Sequence, residues 1–468
     1  MERFLAKWIA VILCAIFIVP IAFAQQKELT IWPGGTYTPS RLLPGTATRE
    51  VKGFDPIVEK YQKLHPDVKI NYVKQPMGEV RTWLVTQLTG GTAPDICWTQ
   101  PDYVNEDIGK GWWLNLDPYL EKPNPYVKGN KRWYDIFYPG PLEVWRAADG
   151  HLYMLLGDQV QVGFYYNKNI FRKYGLSVPK NWASLMEIAK KLKNNNVVAF
   201  AMENSDLHQV TWISGWLTNF YFWPEIEKYD KDGNRWISKI EIAEAIKKGT
   251  FSYTSERGIA RLKTLKEMYD YAQKGFVSAD QNLARRLFVT GQTAMLVLGS
   301  WIYLDLQNDP LRKFDFGVFY FPVLDSKTSP LIPDGIPPTN KAAGYGSLQL
   351  AVTNSAMKSN KVDLAIDFLM FATAPQNAGP VIKETGTALP AIKGCTPNPA
   401  LKPFAESVSY PAAPFQEDDS LLDNEFGEKF LAVANLFLPG TISVEEGAQR
   451  LQKYAEEAAD RVLALEKK

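Results

Sequence analysis

The amino-acid sequence predicts an α/β protein in which strands alternate with helices and form mostly parallel sheets. Near the amino terminus, apolar residues change between strand and helix spacing in a β-α-β-α-β order, which implies parallel strands with helices on the sheet faces. The same alternation starts again after Gly150. The chain has 468 residues, which is enough for two or three compact units with a large buried core.

The first region is predicted to contain three strands and two helices. The strands are Lys27–Trp32, Val68–Tyr72 and Asp95–Trp98, and the helices are Phe54–Leu64 and Val80–Leu88. In both helices the apolar residues recur at helical spacing, and proline or glycine follows each helix. This order of elements is typical of a parallel sheet with helical crossovers.

The second region carries a longer series of elements. Its predicted strands are Leu152–Met154, Val162–Tyr166, Val197–Phe200 and Ala294–Leu298, and its predicted helices include Trp182–Leu192, Leu262–Ala272 and Val444–Leu465. Asn181 is predicted to cap the first of these helices. The stretch Leu324–Gly346 holds several prolines and little periodicity, so we predict a long loop there.

Residues 1–24 are predicted to be a secretory signal peptide. Arg3 and Lys7 precede the apolar run Trp8–Val19, and Ala22-Phe23-Ala24 provides a small–x–small site, so we expect cleavage after Ala24. The apolar run is short for a span of the hydrocarbon layer. An uncleaved membrane anchor is the alternative.

The charges of the chain are balanced, and this argues against one class of partner. There are 52 Lys and Arg residues against 51 Asp and Glu, which gives a formal net charge of +1. Such a chain has no overall basic field to attract phosphate backbones, so nucleic acid is not expected as the main partner. Aromatic residues are abundant, with 14 Trp, 22 Tyr and 24 Phe, and they can supply flat binding surfaces.

Two cysteines, Cys97 and Cys395, remain once the signal peptide is removed. A secreted domain of this size can fold on its hydrophobic core alone, so the two cysteines need not form a disulfide. We predict that both are free thiols. We also expect them in different lobes, where a bridge would restrict the motion of one lobe against the other.

A search for catalytic motifs gives no positive sign of an enzyme. The three histidines are widely separated, and the sequence contains no H-E-x-x-H, G-x-S-x-G, G-x-x-x-x-G-K-[ST] or G-x-G-x-x-G pattern. We therefore predict no catalytic residue, no metal site and no cofactor. A glycosidase stays open as an alternative, because two carboxylates that are distant in sequence leave no motif.

Seven short segments occur in an order that is characteristic of one family. They are Phe54–Tyr72, Leu88–Ile96, Gly150–Tyr153, Tyr165–Lys168, Val178–Trp182, Phe288–Met295 and Gly299–Trp301. In this order, and with a signal peptide in front, they resemble the family-1 extracellular solute-binding proteins of ABC importers, particularly the sugar-binding branch. Asn181 stands where that family often has threonine.

The resemblance implies two α/β lobes with a ligand cleft between them, in the type II periplasmic-binding-protein fold. Lobe one is expected at 27–157 and 318–375, and lobe two at 163–312 and 386–468. The chain would cross between the lobes near Asp158–Gln161, Lys313–Phe316 and Gln376–Glu384. Clefts between domains and the carboxyl ends of strands are also where α/β folds generally place ligands.

The same resemblance implies a function, the solute-binding subunit of an ABC importer outside the cytoplasmic membrane. The protein would capture a carbohydrate of oligosaccharide size without chemistry, and its closed form would be recognised by the transmembrane permease subunits. We expect it to act as a monomer. Two alternatives stay open: a secreted glycoside-active enzyme, and a binding protein for a polyamine or a sugar phosphate. Arg81 and Arg146 alone do not make a phosphate site.

A neutral sugar is bound by aromatic platforms for its C–H faces and by planar polar side chains for its hydroxyls. The candidates in this sequence are Trp32, Tyr37, Trp98, Gln100, Asp102, Gln159, Gln161, Asp206, Trp301 and Tyr345. By the resemblance, Trp98 and Trp301 match pocket tryptophans of the family. For Trp32 a position in the pocket and a position in the core stay equally open. Trp112-Trp113 have a pattern more typical of core. Asp158 is the only carboxylate at the first crossing, where related proteins place one in the cleft.

Overall fold

The structure is a computed structural model, which describes residues 26–42, 51–74, 80–139, 142, 145–147, 149–205, 209–231, 233, 235–341, 346–418 and 421–466. The predicted signal peptide at 1–24 lies outside the described residues, and so do Asp206 and Tyr345. Over the residues that are described, every helix is too short or too polar to cross a membrane.

The strands build two sheets and one short ribbon. In chain order they are β1 (Lys27–Trp32), β2 (Val68–Tyr72), β3 (Ile96–Trp98), β4 (Leu155–Leu156), β5 (Asp158–Gln159), β6 (Val162–Asn167), β7 (Val198–Ala201), β8 (Thr293–Gly299), β9 (Phe316–Phe319), β10 (Gln349–Val352) and β11 (Leu389–Pro390). The first sheet has the order β2-β1-β3-β10-β4, the second has the order β7-β8-β6-β9, and β5 pairs with β11. In the first sheet β10 runs antiparallel to its neighbours, and in the second sheet β6 does.

The helices cover the sheets and fill the connections between the strands. They are α1 (Asp55–Leu64), α2 (Val80–Gly90), α3 (Pro101–Asp107), α4 (Asp117–Leu120), α5 (Lys168–Lys173), α6 (Trp182–Asn194), α7 (Gln209–Tyr221), α8 (Lys239–Lys247), α9 (Glu256–Tyr269), α10 (Gln281–Val289), α11 (Tyr303–Asn308), α12 (Asn354–Lys358), α13 (Val362–Thr373), α14 (Pro375–Thr385), α15 (Lys402–Ser407), α16 (Asn424–Phe437) and α17 (Val444–Glu466). Short 3-10 turns lie at Ser40–Leu42, Trp133–Ile136, Trp223–Lys228, Phe276–Ser278, Ser300–Ile302 and Pro399–Leu401. The predicted α/β fold class is confirmed.

Several motif residues have local structural roles. The Asn181 side chain accepts a hydrogen bond from the backbone N–H of Ser184 at 3.0 Å and caps α6, as predicted. Asn167 ends β6 and caps α5. The Asp95 carboxylate accepts a hydrogen bond from the backbone N–H of Thr30 at 2.7 Å, so it ties the start of β3 to β1. These contacts belong to the scaffold.

Each sheet has its own hydrophobic core, and we call the two units the first and the second lobe. The first core includes Leu29 and Ile31 of β1 and Phe368 of α13. The second sheet is covered on both faces, so successive residues of β6 point into different clusters, Phe164 into one and Tyr165 into the other. Two separate cores are the physical basis of the two lobes.

The predicted crossing at Lys313–Phe316 is wrong, because the chain is still part of the second lobe there. β9 pairs with β6, and the ring of Phe319 stacks on a phenylalanine of β6 at 4.8 Å. The proline-containing segment that follows also packs in the second core, as far as Ile336. The first core resumes at Leu348, so the second part of lobe one starts later than the predicted residue 318.

The predicted crossing at Gln376–Glu384 is also wrong. These residues lie in α14, whose buried side chains, such as Ala378 and Ile382, recur at helical spacing and pack in the first core. The chain reaches the second lobe through β11, where Leu389 joins a cluster of that lobe. Ile392 still packs in the first core, so the predicted start of the last segment, residue 386, falls too early.

Both cysteines are free thiols, and both pack in the first lobe. The expectation that they lie in different lobes is wrong, because the chain after β11 turns back and Cys395 packs against the first core. Burial raises the pKa of the Cys97 thiol and raises that of Cys395 to about 11. At neutral pH little of either cysteine is therefore thiolate.

We expect two titratable thiols in the mature chain. Protein that begins at Gln25 and is denatured without reductant should give two thiol equivalents, because both cysteines are unpaired in the structure. The folded protein should react far more slowly, since the reactive thiolate is suppressed. A reduced sample is the control, and a count of zero without reductant would contradict the assignment.

Candidate ligand-binding cleft

The carboxyl ends of β1 and β3 share one edge of the first sheet, and each strand ends in a tryptophan. The two strands are parallel and end at Trp32 and Trp98. β10 pairs with both β3 and β4, and its register, with Gln349 opposite Leu156, brings the end of β4 to this edge. The chain therefore leaves the first lobe beside Trp98.

The same connection enters the second lobe at the edge that carries Trp301. β7 and β8 are parallel and β6 runs against β8, so the start of β6 lies at the carboxyl end of β8. The backbone carbonyl of Gln161 accepts a hydrogen bond from the N–H of Ser300 at 2.7 Å. Trp98 and Trp301 thus lie on the two lobe edges that this connection joins, and the space between the edges is the candidate cleft.

Trp98 is half-buried at the end of β3, and its neighbours set its position. The pyrrole edge of the indole lies against Gly34 in the turn after β1, where a Cβ would come within 2.7 Å of the ring. Gly34 has a φ of +79°, which glycine adopts without strain. Trp32 meets the indole edge-on at 6.0 Å. The ring is therefore fixed on its inner side.

Trp301 is also half-buried, in the turn directly after β8. Its six-membered ring covers Gly299, where a Cβ would overlap the ring. Its Nε1–H donates to Oε1 of Gln281 at 2.8 Å, and Trp212 meets the indole edge-on at 5.9 Å. Because the N–H already has a protein acceptor, a ligand would meet Trp301 through the face of the ring.

Trp32 and Tyr37 take supporting positions in this structure, and their contact with a ligand stays a prediction. They are 2% and 0% exposed, and both belong to the first core. Trp32 backs Trp98, and the Tyr37 hydroxyl donates to the carboxylate of Asp158. Burial, together with this carboxylate, raises the pKa of Tyr37 well above its ordinary value, so the phenol stays protonated and donates.

Asp158 is fully buried where the chain leaves the first lobe. Its Oδ1 accepts hydrogen bonds from the backbone N–H groups of Ser347 at 2.7 Å and Leu348 at 2.8 Å, and its Oδ2 accepts from Tyr37. Burial raises the pKa of the Asp158 carboxyl, and the hydrogen bonds act against that rise. The backbone of Asp158 pairs with Pro390 of β11. This side chain joins connecting segments of the protein.

Gln159 and Gln161 are fully buried and are bridged by Asn340. Nδ2 of Asn340 donates to Oε1 of Gln159 at 3.0 Å, and Nε2 of Gln161 donates to Oδ1 of Asn340. The three amides hold the first crossing against the segment that returns toward the first lobe. In this structure the two glutamines therefore support the crossing, and their contact with a ligand stays a prediction.

Gln100 and Asp102 flank the start of α3, at the same edge as Trp98. Gln100 is half-buried and precedes the helix with an extended backbone, and Asp102 lies in the first helical turn. Gln100 is therefore a predicted contact residue that lies, half-buried, at the same edge of the first sheet as Trp98.

Sequence reasoning missed Trp83, Trp212 and Gln281. In the sequence, Trp83 falls at the helical spacing of the apolar residues of α2, a pattern typical of core, although the structure buries only Leu84 and Leu88 fully. Trp212 is the half-buried residue of α7, which is otherwise buried and shows no amphipathic pattern. Gln281 begins α10 and holds an indole 20 residues further along the chain. A glutamine at a helix start carries no sequence signal for such a contact.

Residues 45–379 match the model of a family described as bacterial extracellular solute-binding protein. This match spans more than half of the chain, and the chain belongs to that family. The family that the sequence motifs suggested is therefore confirmed.

Relatives and solved structures agree with this assignment. The multiple sugar-binding protein of Streptococcus mutans serotype c is 22% identical over 332 residues, which are 68% of this chain and 68% of that protein. The sugar-binding protein MalE from Xanthomonas citri has a TM-score of 0.69 at 16% identity, over 94% of this chain and 100% of MalE. The apo form of RafE from Streptococcus pneumoniae has a TM-score of 0.66 at 15% identity, over 93% and 99% of the two chains. These structures share the two-lobed fold.

We expect Gly34→Ala to displace Trp98. The new Cβ would meet the indole at 2.7 Å on a backbone with positive φ. The variant should therefore lose about 2 kcal/mol of unfolding free energy, and its near-ultraviolet circular dichroism should change with the indole environment. Gly35→Ala is the matched control, because a Cβ there meets nothing within 4 Å. If both variants keep wild-type stability and spectra, Gly34 does not position Trp98.

Proposed function

We propose that the protein captures a carbohydrate between its lobes and presents it to the transmembrane permease of an ABC importer. The observation that carries this proposal is the pair Trp98 and Trp301, two half-buried indoles on the lobe edges that the first crossing joins. Flat aromatic rings suit the C–H faces of pyranose rings. Gln100, close to Trp98 in the chain, offers an amide that can both donate to and accept from hydroxyl groups.

The names of similar proteins support a carbohydrate ligand. The Streptococcus mutans relative is named a multiple sugar-binding protein, and the Xanthomonas citri structure is that of a sugar-binding protein. RafE has also been solved in complex with raffinose. Membership of an extracellular solute-binding family supports a location outside the cytoplasmic membrane, in line with the predicted cleavage after Ala24.

Binding without turnover fits the groups described at the crossing. The Asp158 carboxylate already has three protein donors, and the amides of Gln159 and Gln161 bind Asn340. A general acid or base must instead lie within hydrogen-bond reach of the substrate proton. We therefore propose that capture is the activity and that no cofactor takes part.

The two arginines considered for a phosphate ligand are paired with carboxylates. Nη2 of Arg81 lies 2.7 Å from Asp107, and Nη1 of Arg146 lies 3.0 Å from Asp117. A phosphate would have to compete with these ion pairs, whereas a neutral sugar needs no cation. The pairing favours a neutral ligand over a sugar phosphate.

Ligand binding is expected to close the lobes. A sugar that touches both Trp98 and Trp301 gains its full set of contacts only when the two edges approach, so it stabilises the closed state. The ribbon of β5 and β11 lies where the chain passes between the lobes and is a natural hinge. Each lobe can then move as a rigid body around it.

We expect the mature protein to bind, and to close around, a member of a defined sugar panel. The panel contains raffinose and three series, each from the disaccharide to the tetrasaccharide, based on maltose, xylobiose and N,N′-diacetylchitobiose. Titration calorimetry should detect binding. Small-angle X-ray scattering at saturation should then give a smaller radius of gyration, because the lobes approach each other.

Each opposing result has a distinct meaning. Binding with an unchanged scattering profile would contradict closure. Conversion of a sugar into product during incubation would favour a glycoside-active enzyme. Binding of spermidine or glucose 6-phosphate, with no binding across the sugar panel, would overturn the carbohydrate proposal in favour of another solute.

We expect Trp301→Ala to weaken sugar binding and to leave the free protein nearly as stable as before. Loss of the stacking surface should raise the dissociation constant of the tightest sugar of the panel by roughly thirtyfold, or about 2 kcal/mol. The ligand-free unfolding free energy should change by no more than about 1 kcal/mol, since the ring is only half-buried. Calorimetry and urea denaturation measure the two quantities.

Trp223→Ala is the matched control for this variant. Trp223 is another half-buried tryptophan of the second lobe, and it follows α7, whose first turn carries Trp212. A helix of 13 residues is about 20 Å long, so Trp223 lies far from the cleft edge. A large loss of stability with unchanged affinity in Trp301→Ala would instead place Trp301 in the core.

A further inference from the structure

A second half-buried indole, Trp83, lies at the same edge of the first sheet as Trp98. A helix that follows a parallel strand begins at the carboxyl end of that strand, and α2 follows β2. Trp83 is in the first turn of α2, which places it where β1, β2 and β3 end. Its contact with Trp32, the last residue of β1, agrees with this position.

Trp32 is the buried backing for both indoles. Its ring centroid lies 4.9 Å from that of Trp83 and 6.0 Å from that of Trp98, and both contacts are edge-on. Trp32 is 2% exposed, whereas its two neighbours are half-buried. Trp83 and Trp98 therefore pack against the same buried indole at one rim of the cleft.

Trp83 is not part of the buried stripe of its helix. The buried residues of α2 are Leu84 and Leu88, one turn apart on one face. Trp83 lies beside this stripe and packs only partly against the first core. A large aromatic ring that stays half-buried at the rim of a cleft offers a flat apolar surface to a ligand.

We propose that Trp83 is a second stacking platform, so that the first lobe holds two successive pyranose rings of an oligosaccharide on Trp83 and Trp98. The inference rests on the proposed function and adds a minimum ligand size, a chain of at least two sugar units. A monosaccharide occupies one platform only. Affinity therefore rises from the monosaccharide to the oligosaccharide that covers both indoles.

Tyr103 is another half-buried aromatic residue in contact with Trp98, but one of its faces is taken. Its ring meets Trp98 edge-on at 6.2 Å, and the guanidinium of Arg81 lies over it at 4.7 Å from the centroid. Two Nη contacts of 2.7 and 2.8 Å to Asp107 hold the guanidinium in place. Because Arg81 already covers one face of the Tyr103 ring, we choose Trp83 rather than Tyr103 as the second platform.

The first test compares wild type, Trp83→Ala and Trp83→Phe by calorimetry. The probes are glucose, xylose and N-acetylglucosamine, each with the trisaccharide of the corresponding series. Trp83→Ala should weaken trisaccharide binding about tenfold, because one stacked ring is lost. Monosaccharide binding, where it is measurable, should change less than twofold. Trp83→Phe keeps a flat ring and should recover part of the trisaccharide affinity.

A second measurement observes Trp83 directly in the folded wild-type protein. With 5-fluorotryptophan incorporated, the ¹⁹F resonance of Trp83 is assigned by its absence in Trp83→Phe. It should shift when the bound trisaccharide is added. This readout stays valid if Trp83→Ala fails to fold.

Trp112→Ala is the matched control, a half-buried indole of the first lobe at the opposite edge of the sheet. Its carbonyl accepts a hydrogen bond from the N–H of Asn354, beyond the end of β10. The proposed role of Trp83 would be overturned by any of three results. They are an unchanged trisaccharide affinity in Trp83→Ala, a Trp83 resonance that does not shift at saturation, and a loss of trisaccharide affinity in Trp112→Ala as large as that in Trp83→Ala. If wild type binds no sugar of the panel at all, the proposed function itself fails.

Discussion

The buried carboxylate of Asp158 is the interaction on which the arrangement of the two lobes depends. A carboxylate removed from water carries a large desolvation cost, which is offset only if protein donors replace the lost water. Here the donors come from separate parts of the chain. The Tyr37 hydroxyl follows β1, and the N–H groups of Ser347 and Leu348 lead into β10, while the backbone of Asp158 pairs with β11. The side chain of Asp158 therefore ties the first crossing to the segment that returns to β10, and its backbone ties the same crossing to β11.

An amide network extends this constraint toward the second lobe. Asn340 binds both Gln159 and Gln161, and the backbone of Gln161 bonds to Ser300, the residue before Trp301. Buried polar groups of this kind are costly to separate, because each would be left without a partner. We therefore expect the passages to move as one unit. On the proposed closure, relative motion of the lobes would be concentrated in the backbone at the ends of the crossing ribbon, as in other hinge motions, and each cleft indole would stay fixed within its own lobe.

Local patterns were sufficient to predict β1, β6, β8, α1 and α6, because apolar spacing and helix caps involve residues close together in the chain. The lobe boundaries were not predictable in this way, since they depend on long-range pairings such as that of β9 with β6. The site shows the same limit. Gln159 and Gln161 have the chemistry of sugar contacts, but Oε1 of the first and Nε2 of the second are hydrogen-bonded to Asn340, 181 and 179 positions away. Trp83 has the spacing of a core residue, and its rim position becomes visible only through its contact with Trp32.

In each lobe a glycine beside the indole, in the turn after β1 or at the end of β8, sets the position of the cleft indole. Gly34 lies against Trp98, and Gly299 lies under Trp301. A ring that packs on the backbone loses its rotamer freedom when the chain folds, before any ligand binds. Ordering of the ring therefore reduces the binding free energy very little. The stacking free energy can then act on the equilibrium between open and closed lobes. A ligand that reaches only one indole stabilises both states equally and shifts nothing, whereas a ligand that reaches both favours closure. On the proposed mechanism, the length of the ligand across the cleft determines whether binding is converted into closure of the lobes.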